Sequence, residues 1–179
     1  MTLDDYRRDF ELSSNRSLSM PIAGAIVWAS VAILSTQFAE TISIYIMLFG
    51  TGAIFPIALL IAKLRKENLL SSSNPFSKLM GLCILMVNLL WAVHIPLLLE
   101  EPKLVPLSLG IALGLHWIVY SWIIQHSVGI VHSVVRSILI LLVWYLFPDK
   151  TVFAVSSVIV FVYVISISQM LKREVAFGQ

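Results

Sequence analysis

The sequence predicts an all-α, polytopic integral membrane protein, with six transmembrane helices preceded by a short amphipathic helix at the N-terminus. Three observations carry that prediction. Hydrophobic residues make up 59% of the 179 positions and charged residues only 12%, against about 25% charged in ordinary soluble domains. Uncharged runs recur that reach or pass the roughly 18 residues a helix needs to cross a bilayer; the longest, Leu104 to Val135, holds 32. The remaining charges gather in the short stretches between those runs. A chain of this length makes about one domain, so 1–179 is read as a single integral unit.

Residues 1–19 are polar overall and lack the short basic region followed at once by an apolar stretch that marks a cleaved signal peptide. They are expected to remain on the mature chain as a cytoplasmic interfacial segment. Thr2 can cap a helix, Asp4 and Asp5 suit its first turn, and Leu3, Tyr6 and Phe10 recur at helical spacing. The first span covers about 21–38, with Pro21 in its first turn. Glu40 marks a tight turn, and the second span covers about 41–62. Gly50, Gly52, Ala53 and Pro56 within it predict a close helix contact and a kink.

The loop KLRKENLLSSSNPFSK combines charge, a serine run and Asn-Pro, the signature of an exposed connection. The third span covers about 79–99 and closes at Glu100-Glu101-Pro102-Lys103. The 32-residue uncharged run that follows is longer than one crossing at 1.5 Å per residue. It must turn, and Gln125 to Gly129 is its one polar, glycine-containing place. The fourth span is therefore about 104–124 and the fifth about 128–147. Pro148-Asp149-Lys150 turns the chain into a sixth span, about 151–171.

Orientation follows from Lys and Arg in the short loops. With a cytoplasmic N-terminus, that side carries nine of them (Arg7, Arg8, Arg16, Lys63, Arg65, Lys66, Lys78, Lys172, Arg173) against Lys103 and Lys150 on the other. Six spans return the C-terminus to the same side. A net charge of +2, scattered over short loops, gives no footprint for nucleic acid. The single cysteine, Cys83, excludes an intrachain disulfide and a cysteine metal cluster.

The polar centre of the chain is Arg136. No acidic residue occurs from Leu104 to Pro148, and an unneutralised charge in hydrocarbon costs at least about 2.5–3.5 kcal/mol. Counting from the helix ends puts Arg136, His116 and Asn88 about 12 Å inside the membrane on three different helices. His132 precedes Arg136 by one turn and Tyr120 follows His116 by one turn, so each helix offers a polar pair. These five residues form the predicted binding site, while His94 is assigned to an outer vestibule and His126 to the turn. An intramembrane arginine can instead fasten helices by donating to carbonyls or serine hydroxyls, and the sixth span offers Ser156, Ser157, Ser166 and Ser168 for that.

Enzyme signatures are mostly missing. Glu100-Glu101 is followed by Pro102 and has Val105 where the paired glutamates of intramembrane CAAX-type proteases are followed by an arginine on the same helix. There is no Gly-x-Ser-x-Gly, no His-Glu-x-x-His and no phosphate-binding glycine loop, and the spacing of His116, His126 and His132 is not that of a helical zinc pair. No metal and no cofactor is expected.

The opening LDDYRRDF, the loop KLRKENLLSSSNPFSKL and the aromatic stretch HWIVYSW resemble a family of small bacterial multi-pass membrane proteins of about this length. The resemblance spans nearly the whole chain and implies an inner-membrane protein, but it carries over no activity and no site residues.

These observations favour a small transporter or channel-like protein that binds an anionic small molecule, a polar solute or the headgroup of a membrane lipid at Arg136, His116, His132, Tyr120 and Asn88. The alternatives are an enzyme acting on a lipid-linked substrate, with His116 or His132 as general base, and a structural subunit of a membrane complex. Gly110 with Gly114, and Gly50 with Gly52 and Ala53, allow close helix approach. That serves either internal packing, expected at Gly114, or a homodimer, for which the Gly50 face is expected to point outward.

Overall fold

A computed structural model describes residues 2–69 and 73–173. Part of the serine run, at 71–72, and the C-terminal end from 174, for which the charge count predicts a side of the membrane, lie outside the described residues. Within them the chain is helical and passes back and forth six times through segments long and apolar enough to cross a membrane. It is an all-α integral membrane protein.

Helix α1 (Leu3–Ser14) starts on a capping box: Thr2 Oγ1 accepts from the Asp5 amide, and Asp5 Oδ2 accepts from the Thr2 amide. Each half satisfies an amide that the first turn leaves open. A turn at Asn15, Arg16 and Ser17, all with φ between 43° and 68°, then redirects the chain into the first span, α2 (Ser19–Ser35). The second span is α3 (Glu40–Gly50) and α4 (Ile54–Arg65), joined by a 3-10 turn at Thr51–Ala53. The third is α5 (Pro75–Leu89) and α6 (Trp91–Glu100), which meet at Leu90. The fourth is α7 (Val105–Ala112) and α8 (Trp117–Ile124), separated by tight turns over 113–116. The fifth, α9 (Val128–Leu146), and the sixth, α10 (Thr151–Lys172), are continuous.

Helices α2, α9 and α10 form the centre, with α4 against α2 and α7 and α8 against α9. Trp28, Ile140, Val155, Ile159 and Tyr163 meet there. Outward-facing positions carry Leu60, Leu89, Leu99, Leu141 and Phe161, the surface a bundle presents to lipid. Since lipid is as apolar as these side chains, close packing and hydrogen bonds must hold the helices together. Glycines supply the approach: a Cβ on Gly24 would lie 2.7 Å from the Tyr163 ring, and one on Gly110 would lie 3.0 Å from Val155 Cγ1.

Two helix ends are capped from elsewhere in the chain. Ser121 Oγ on α8 accepts from the amides of Gly129 (2.8 Å) and Ile130 (2.9 Å) at the start of α9 and donates to the His126 carbonyl. Glu40 on α3 accepts from the Val152 amide (2.9 Å) and the Thr151 hydroxyl at the start of α10. Gly129, read in the sequence as part of the turn, is the second residue of α9. Its Cα faces Trp117 so closely that a Cβ would fall 2.0 Å from the Trp117 carbonyl oxygen. The reversal itself falls on Gln125, at φ 53°.

The first half of the third span stands apart from the second span. Helix α5 touches α1 and α8, but α4, its predecessor in the chain, shares no more than a marginal contact with it. Among the described residues the two helices leave a space between them, lined by Ile54, Phe55, Gly81 and Ile84.

Candidate functional site

The interior of the bundle holds Arg136, fully buried on α9. Its partner is created by the break in the fourth span. In a continuous helix the Gly110 carbonyl would accept from the amide four residues on. Here the Gly114 amide donates instead to Ile111, at 2.8 Å. The Gly110 carbonyl is thereby released, and Arg136 Nε donates to it at 2.8 Å. One turn earlier, Ser133 Oγ donates to the Gly114 carbonyl at 2.8 Å. Two side chains of α9 thus satisfy the backbone that the break exposes, and Gly114 is required there, since a Cβ would approach Arg136 Cδ to 2.9 Å.

The rest of the guanidinium meets aromatic groups and an imidazole. Its carbon lies 5.6 Å from the ring centres of both Trp28 and Tyr163, each a cation–π contact of about 0.5–2 kcal/mol. Nη1 lies 3.5 Å from His132 Nε2. His132 Nδ1 is 2.9 Å from Ser166 Oγ, whose proton is directed to the Val162 carbonyl. That chain assigns the proton to Nδ1 and leaves the Nε2 lone pair facing Arg136. The imidazole is stacked on Trp117 at 4.0 Å and 8°. Among the described residues Arg136 Nη2 has no hydrogen-bond partner.

Beside this cluster lies a cavity of about 500 Å³ between α2, α4, α5, α8 and α10. His116, Tyr120 and Asn88 line it, so three of the five predicted site residues share one space. Arg136 and His132 do not line it; Trp117 and Tyr163 form the wall between, facing the cavity and touching the Arg136 cluster. Tyr120 donates to the Arg16 carbonyl at 3.3 Å, and Asn88 to the Ile84 carbonyl of its own helix at 2.8 Å. His116 Nδ1 is buried without a partner among the described residues. Toward the end of the bundle that carries the predicted basic loops, Ser14, Ser17, Asn68, Ser77 and Lys78 complete the wall, and among the described residues no carboxylate lines it.

Of the remaining histidines, His94 is buried between α6 and α7 with Nδ1 3.2 Å from Ser108 Oγ, so it packs helices together and does not front a vestibule. His126 sits in the turn before α9, where Nδ1 accepts from the Val128 amide at 3.1 Å. Among the described residues no three His, Cys, Asp or Glu side chains converge as metal ligands. Sequence reasoning passed over Ser133, Tyr163, Ser14 and Lys78. Ser133 and Tyr163 lie on the buried faces of their helices, and only the fold shows what they meet.

The fold and this centre define a six-span helical membrane protein with a buried arginine and an adjoining, mostly apolar cavity that carries a few polar groups. The chain belongs to a family of unknown function (DUF7010), whose profile matches residues 3–173. No curated protein and no solved structure matches it.

Proposed function

We propose that this is a small transporter or channel-like protein of the bacterial inner membrane, with both termini cytoplasmic. Its cavity receives an anionic or polar solute, or a lipid headgroup, from the basic end. The observation that carries the proposal is where the spans are interrupted. Thr51 and Gly52, Val87 and Asn88, and Leu113 and His116 all line the cavity, and each pair lies at or within three residues of a break in its span. Irregular backbone at membrane depth is tolerated where it is buried in protein or lines a cavity, and discontinuous helices are the usual construction of transporter sites.

The charge of the site favours an anion. Lys78 stands on the wall, no carboxylate among the described residues faces it, and Arg136 lies behind Trp117 and Tyr163 as a fixed positive charge in a poorly screening medium. In this reading Arg136 acts through its field and holds the broken fourth span, while His116 forms part of the wall the solute rests against. Thermal unfolding of the purified protein with inorganic phosphate, short carboxylates and glycerophosphate provides the test. A ligand at a hundred times its Kd stabilises by about 2.7 kcal/mol, and His116→Ala should lose most of that. Equal responses from wild type and variant, or none from either, would refute the proposal.

A further inference from the structure

The gap between α4 and α5 gives the cavity a second approach, from the side. Gly52 and Gly81 face it from opposite walls, and a Cβ on either would meet nothing within 4 Å. The walls between them are apolar, with Ile54, Phe55, Met80 and Ile84. At the basic end the space is bounded by Lys78, near the start of α5, and by Ser14, which is 3% exposed and whose hydroxyl has no partner among the described residues. We propose that a single-chain amphiphile with an anionic head enters from the bilayer between α4 and α5, sets its head against Lys78 and Ser14, and lays its chain along α4 and α5.

The geometry suits such a ligand in three respects. A volume of about 500 Å³ lies within the roughly 300–1,000 Å³ of small-molecule sites. The polar groups are at the level where lipid headgroups lie when the basic end faces the interface, so the head need not be dragged through hydrocarbon. An acyl chain already in the membrane reaches the gap without crossing water. This inference rests on the cavity being a ligand site and names what that ligand is.

The two open glycines make it testable without disturbing the core. Wild-type protein in phosphatidylcholine nanodiscs is titrated with doxyl-labelled stearate, and quenching of tryptophan fluorescence, with Trp117 on the cavity wall, is read. Saturable quenching is expected, weakened at least tenfold in Gly81→Phe, in Gly52→Phe and in Lys78→Glu, with helicity and thermal unfolding of the glycine variants close to wild type. Quenching that rises linearly without saturation, or saturates identically in the plugged variants, overturns the proposal. If butyrate or inorganic phosphate still stabilises wild type more than His116→Ala, the cavity remains a solute site and only lateral entry of an amphiphile falls. If no anion of either kind binds, both fall.

Discussion

Arg136 is accommodated without a carboxylate because its neighbours each supply a little of what an acid would: a carbonyl freed from its helix, the lone pair of His132 and two ring faces. The directional part of that set is the Nε–H. Arg136→Met should therefore lose about 2–3 kcal/mol, since a buried carbonyl is left unsatisfied. Arg136→Lys keeps the charge but not the planar fork and should recover only part of the loss. Unfolding in mixed micelles measures both, and a lysine variant as stable as wild type would show that charge alone is what the position requires. The arginine and its i−4 histidine could be read from the sequence. Gly110 could not, because its carbonyl becomes available only where Gly114 bonds three residues back instead of four.

Helix α1 shows the same division between local and distant signals. Its capping box and its first acidic residues are legible in TLDD, and Phe10 is buried as the apolar stripe predicts. Leu3 stays exposed, however, and Arg7, Glu11 and Ser14 are buried alongside Phe10. Their partners explain it. Arg173 Nη2 donates to both oxygens of Glu11 at 2.6 and 2.8 Å, and Arg7 lies over the Trp122 ring at 5.0 Å. Asn74 joins in, donating to the Tyr6 carbonyl at 2.8 Å. A pair 162 residues apart leaves no periodicity to read. Removing one member of a buried pair typically costs about 3–5 kcal/mol, because the other is left charged and alone. Trypsin should thus cut at Arg7 and Arg8 much faster in Glu11→Gln than in wild type, whereas Glu11→Gln with Arg173→Met should be less sensitive than Glu11→Gln. Additive effects in the double variant would show that the two side chains do not act as a pair.

At the scale of the whole molecule, the six crossings were legible because uncharged length is what a bilayer demands, and Gly50, Gly52 and Pro56 marked the kink in the second span. The break at 113–116 was hidden inside an apolar run, and the separation of α4 from α5 leaves no local trace. Orientation rests on the nine basic residues at one end and two at the other. Reporter fusions after Arg65, Glu101, His126 and Lys150 should signal cytoplasm, outside, cytoplasm and outside in turn. Cytoplasmic signals at both Glu101 and Lys150 are incompatible with the bundle described above.

The dependence of Arg136 on the fourth span also sets an order of events during synthesis. The fifth span carries its charge out of the ribosome before the sixth exists, yet its acceptor carbonyl on α7 has already been made. Only three residues, Gln125 to Ser127, separate α8 from α9, and Gly129 interlocks with Trp117 across them. The fourth and fifth spans should therefore enter the membrane better as a hairpin than the fifth does alone, which insertion of 128–147 with and without 104–127 ahead of it would measure.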